Sequence, residues 1–114
     1  MGIVEFLEAR IAEDEAVAKM ALHYPRHFHE GGITAEQTLY MARHNPARAL
    51  REVVAKRELL ELHYDDNPGP GDVHYCGTCH DYYKHDAEDW PCETARVLAS
   101  AFSDHPDFNE EWRP

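Results

Sequence analysis

The chain is short of the side chains that build a core. Leu, Ile, Val and Phe together supply 21 of its 114 residues, below the share of roughly 20% at which a highly charged chain begins to read as unfolded. Fourteen Ala favour helix but bury little area each. Apolar burial alone therefore leaves little surplus, and another source of cohesion is expected. The length of 114 residues gives no room for a second core of substance, which excludes a multidomain enzyme. No run approaches the about 18 apolar residues of a membrane span. The opening Met1-Gly2-Ile3-Val4-Glu5-Phe6 has no basic segment and no continuous apolar stretch, so no secretory signal is visible and a cytoplasmic location is expected. Phe6 also stands where a myristoylation signal wants Ser or Thr.

Basic charge is scarce as well. Eleven Lys and Arg face 22 Asp and Glu, for a net charge of −11, which argues against a protein whose main task is to neutralise phosphates. A glycine-rich phosphate loop, a G-x-S-x-G and an H-E-x-x-H are all missing. Carboxylates are spread along the whole chain, so no pair is singled out as acid and base. No internal repeat or low-complexity tract is present.

What the chain does have is helical periodicity. Ile3, Leu7, Ile11, Ala18 and Leu22 recur at spacings of 4 or 7 and predict an amphipathic helix over 2–22. The stretch 23–32 carries a Pro, a Gly pair and no period, and reads as a loop. Thr34 with Gln37 forms a capping box that opens a helix to about His44, with Leu39 and Ala42 inward. Asn45-Pro46 supplies an N-cap and a first-turn Pro for a helix to about Tyr64, its inner face being Leu50, Val53, Val54, Leu60 and Tyr64. Two prolines and two glycines make 65–72 a loop. Pro91 is expected to open a helix carrying Ala95, Leu98 and Phe102, with Phe108 and Trp112 in a last turn. The expected fold is all-α, one domain over 1–114, with a helical part at 1–64 and a zinc-binding loop plus C-terminal helix at 65–114.

Charge is uneven along this frame: residues 43–57 are net +4 and residues 58–114 net −11. The basic stripe Arg43, Arg48, Arg51, Lys56 and Arg57 reads first as a solvated face complementing nearby carboxylates, and second as a docking surface.

Cys76-Gly77-Thr78-Cys79 is a C-x-x-C pair, and Cys92 follows after twelve residues. In a reducing compartment such a cluster is more readily metal-ligating than disulfide-forming. Three sulfurs need a fourth ligand, and His63, His74, His80 and His85 are near in sequence. His63 ranks first, because it would clip the end of the third helix to the C-terminal segment. His80 ranks second, since a residue directly after such a turn often points away from the ion. A Cys3His set is a closed structural site for one Zn2+. Cys76 to His80 also matches the c-type haem attachment motif, but that reading wants export and leaves Cys92 without a role. A thioredoxin-like pair would need a βαβ setting that the pattern lacks. His23, His27 and His29 share one loop without a Cys or carboxylate at fixed spacing, and Tyr75, Tyr82, Tyr83 and Lys84 sit among acids, favouring packing over base stacking.

The runs HNPARALREVVAKRELLELH (His44 to His63) and CETARVLASAFSDHPDFNEEWRP (Cys92 to Pro114), with the opening FLEARIAEDEAVA, resemble a family of small uncharacterised actinobacterial and actinophage proteins. Its members show an H-D-P-A-R-V-L-R-E-V-like helix, a histidine, a C-x-x-C pair, a cysteine leading into a leucine-rich helix and a D-H-P-D-Y-like tail. The resemblance covers about two thirds of the chain and departs mainly over 23–33. It implies the same arrangement of elements and a metal site at His63, Cys76, Cys79 and Cys92, and no activity. The expected function is that of a non-enzymatic interaction protein, a phage or mobile-element accessory factor acting on a host protein. Two alternatives are a nucleic-acid-associated regulator using the 43–57 helix and a metalloenzyme using the 23–29 histidines.

Overall fold

The computed structural model describes residues 2–23, 34–71, 73–80 and 90–114. Among these residues four helices follow in order: α1 (Ile3–His23), α2 (Ala35–Arg43), α3 (Pro46–Leu62) and α4 (Glu93–Ser100), with a 3-10 turn at Glu110–Trp112. The all-α expectation holds among the described residues, where extended pairing is limited to one antiparallel bridge between Asp65 and Cys76.

The local signals act as their chemistry requires. Thr34 Oγ1 accepts from the Gln37 amide at 3.1 Å while Gln37 Oε1 accepts from the Thr34 amide at 3.0 Å, closing the capping box of α2. Asn45 Oδ1 accepts from the Arg48 amide at 2.9 Å, and its Nδ2 donates to Ala42 O at 3.0 Å. One side chain thus ends α2 and starts α3. The fourth helix begins later than Pro91 suggested: Cys92 is its N-cap and Glu93 its first residue. Pro91 lies before the cap, because the Cys92 carbonyl, which accepts from Arg96 N, already opens the helical ladder.

Packing is concentrated at one end of an elongated molecule, 60 × 27 × 24 Å. Helices α1 and α3 run antiparallel, with Val4 beside Leu60 and His63, and Ala18 beside Val53. Ile3, Phe6 and Leu7 then meet Ala95, Ala99, Phe108, Trp112 and the buried Cys76 and Cys92 in one cluster. Phe6, which lies outside the regular apolar series of α1, is its centre. Its ring has Trp112 at 5.1 Å, His105 at 5.7 Å, Phe108 at 6.1 Å and Phe102 at 6.4 Å, spacings at which edge-on aromatic pairs gain energy beyond their buried area. Arg10, buried, lies 5.4 Å over the same ring and donates to His105 Nδ1 at 2.7 Å, which ties the C-terminal tail to α1.

Several expected inner residues point outward. Leu22, Val54 and Tyr64 are exposed, as are Leu39 and Ala42, and α2 buries no side chain. For α3 the reason is that, among the described residues, only α1 packs along its length, so its buried stripe is narrow. Val53 fits it, and its neighbour Val54, about 100° further round the helix, does not.

Candidate metal centre

The last turn of α3 delivers His63, which caps that helix with its amide donating to Leu59 O at 3.1 Å. The chain then extends and pairs with the segment before the C-x-x-C turn. Asp66 N donates to Tyr75 O at 2.9 Å and Gly77 N to Tyr64 O at 3.0 Å. The loop between them is turned by Gly69 and Gly71 at φ 121° and 150°, where L side chains are strained. The turn itself is closed by His80 N donating to Cys76 O at 2.9 Å, and Thr78 Oγ1 donates to Leu62 O. Trp90 N donates to His74 O at 3.1 Å, bringing Cys92 alongside. Backbone pairing between these segments thus positions all four groups.

The side chains converge. His63 Nδ1 lies 3.6 Å from Cys76 Sγ, 3.4 Å from Cys79 Sγ and 3.6 Å from Cys92 Sγ. One ring N–H can be donated to one sulfur, not to three at like distance. A tetrahedral ion with Zn–S near 2.3 Å and Zn–N near 2.0 Å would set each N···S edge at about 3.5 Å and each S···S edge at about 3.8 Å. The four donor atoms lie within 4.8 Å of one another, so closing the set onto an ion asks for at most about 1 Å of movement. Cys76 and Cys92 are fully buried, while Cys79 and His63 are partly so. All three cysteines are free thiols. The cluster is compatible with a metal site.

The environment prepares two sulfurs differently. Burial by itself pushes the Cys76 thiol up, but the Cys79 and Thr78 amides donating to its sulfur, with the Cys92 and Cys79 thiols, hold it below the ordinary value. Cys92 is pushed up, first by burial, against one amide hydrogen bond from Ala95 at the start of α4. A cation in the centre would offset that burial cost.

The other histidines are placed elsewhere. The His80 ring packs against Tyr75 at 4.5 Å and stands outside the converging set. His74 Nδ1 faces Asp65 Oδ2 at 2.7 Å and its Nε2 faces Gly71 O at 2.8 Å. Both nitrogens can donate only in the imidazolium form, so the Asp65 carboxylate first, and then the Gly71 carbonyl, raise its pKa. His85, His27 and His29, with Tyr82, Tyr83 and Lys84, lie outside the described residues, as does the side chain of His23. The grouping sets Cys92 beside the other two sulfurs, whereas the haem motif has no use for it. Sequence reasoning missed Tyr64 as a packing partner of the turn: its ring lies so close over Gly77 that an added Cβ would stand 2.5 Å from Cζ. The small residue inside C-G-T-C was the available signal.

Of the basic stripe, Arg57 pairs with Glu15 and Arg48 with Glu52, while the Lys56 ammonium lies 5.4 Å over the Phe102 ring. Much of the stripe is therefore engaged within the chain. No described helix is long and apolar enough to cross a membrane. Neither a curated protein nor a solved structure matches the chain. Over residues 1–114 it matches the model of a family of unknown function, DUF6221, and belongs to that family.

Proposed function

We propose that this DUF6221 member is a non-enzymatic interaction protein whose C-terminal half is built around one structural Zn2+ held by His63, Cys76, Cys79 and Cys92. The observation that carries the reading is His63 Nδ1 standing 3.4–3.6 Å from three sulfurs, the farthest 29 positions away in sequence. Three thiolates and one imidazole in a tetrahedron suit zinc before any hard divalent ion. Four protein donors fill the shell and leave no position for water or substrate, which makes the ion structural and gives this centre no place for catalysis. Exposed Val17, Met20, Leu39 and Tyr40 on α1 and α2 supply apolar surface for a protein partner. The resemblance of the His44–His63 and Cys92–Pro114 runs supports an accessory factor of an actinobacterium or its phage, acting on a host protein in the cytoplasm.

The net charge of −11 opposes nucleic acid as the partner. Metal analysis of untagged protein tests the centre, with one zinc per chain expected. Cys92→Ser is expected to lose metal as completely as Cys76→Ser, while His80→Ala keeps it. Folded protein free of zinc, or loss of metal from His80→Ala with retention in His63→Ala, overturns the assignment. Retention of a host protein from an actinobacterial lysate by the zinc-loaded protein, abolished by chelation, tests the partner.

A further inference from the structure

The face of α3 opposite α1 is covered by nothing among the described residues. Ala47, Arg51, Val54, Ala55, Glu58 and Leu62 are all exposed there, and spacings of 3 and 4 align Arg51, Ala55, Glu58 and Leu62 in one stripe. Arg51 and Glu58 are the two charges on this stripe, and neither has an ion-pair partner among the described residues. The two charges are opposite in sign and two helical turns apart, so an antiparallel copy of the helix centred between Val54 and Ala55 would set each against its opposite.

That complementarity of charge decides what fits. We infer that a second copy of this chain docks antiparallel along this face of α3, about a two-fold axis passing between Val54 and Ala55. Arg51 then stands opposite Glu58 of the second copy, and Glu58 opposite its Arg51. Leu62 covers Ala47, and Val54 covers Ala55, large against small at each step. The contact is isologous, with each residue pair occurring twice. The wider charge distribution agrees: residues 43–57 are net +4 and the described residues of 58–114 net −7, so antiparallel copies set basic halves against acidic ends while parallel copies set like against like. A foreign basic helix would match Glu58 and leave Arg51 facing its own sign.

Light scattering coupled to size exclusion, run on the full chain over a hundredfold concentration range, reads the assembly directly. A mass of twice 13.1 kDa, falling to one at low concentration and at high salt, is expected. Arg51→Glu and Glu58→Arg should each be monomeric with unchanged helix content, because each doubles a like-charge pair across the axis. Mixed in equal amounts, the two variants should recover the dimer mass, since both cross-axis pairs are then opposite in sign. Monomer throughout the range, a dimer that survives either single change, or a mixture that stays monomeric overturns the arrangement. Should one variant misfold, the other variant, together with the salt dependence of the unaltered protein, still separates a dimer held by these pairs from any other outcome.

Discussion

Gly77 sits under the ring of Tyr64, and an added methyl would meet that ring 2.5 Å from Cζ. Tyr64 is about half exposed, so the ring can swing away, at the cost of its packing over the turn. Gly77→Ala is therefore expected to destabilise the protein by about 1 kcal/mol, measured by denaturant unfolding. In a Tyr64→Ala background most of that cost should vanish, because the obstructing ring is gone. An equal cost in both backgrounds would place the strain in the backbone of the turn instead. Phe6 is the other residue on which much depends. With four aromatic rings around it and no exposure, Phe6→Ala should cost roughly 3–5 kcal/mol, seen as a lower unfolding midpoint.

Between elements, two polar contacts control how α1, α2 and α3 meet. Asn45 bonds both the end of α2 and the start of α3. Asn45→Ala should lose about 1 kcal/mol, with circular dichroism showing a small loss of helix. Across the α1/α3 contact, the Arg57 guanidinium holds the Glu15 carboxyl below the ordinary carboxylate range. A depressed folded-state pKa adds stability above the unfolded value and loses it as pH falls through the folded one. Glu15→Gln should thus be less stable than the unaltered protein at neutral pH. The gap should close as the solution is acidified past the carboxylate range, and it should narrow with salt because the pair is at the surface. A gap that grows with acid would mean that Glu15 acts through something other than its charge.

For the molecule as a whole, the cluster that buries Cys76 and Cys92 is the same one that buries Ile3, Phe6 and Leu7. Loss of a metal from this centre would therefore reach beyond the cysteine segment into the first two turns of α1. Zinc bound by such a set contributes on the order of 10 kcal/mol, comparable with the whole stability of a small domain. Chelation is expected to remove hydrogen-exchange protection from residues 73–80, 90–112 and the start of α1. The middle of α1 against α3, where Ile11, Ala18 and Val53 are buried, should keep more of its protection. Acidification below about pH 5–6 should imitate the chelator, because thiolates and a neutral imidazole must lose protons to bind. Unchanged protection over 90–112 after verified metal removal would show that aromatic packing around Phe6 holds this end unaided.

What the sequence determined by itself was local. A capping box, an Asn-Pro start, paired prolines and glycines and a C-x-x-C spacing each act within a few residues, so the helices at Ile3–His23, Ala35–Arg43 and Pro46–Leu62 were legible to within two positions. The spacing of the cysteines pointed to one cluster, and His63 was legible as the histidine to join them because it could clip the end of the third helix to the C-terminal segment. Burial was another matter. Periodicity says that α3 has an apolar side, but which of Val53 and Val54 is covered depends on where α1 lies, and that is settled by contacts far apart in sequence. The same holds for Phe6, three positions from Ile3 and apolar, whose central place arises only when Phe102, His105, Phe108 and Trp112 fold back around it. Whether His63 or His80 joins the sulfurs was likewise decided in three dimensions, by the pairing of residues 64–66 with 75–77 that draws the end of α3 against the turn. Short-range hydrogen bonding is written residue by residue, whereas burial and convergence belong to pairs of segments, and the chain fixes them only when those segments meet.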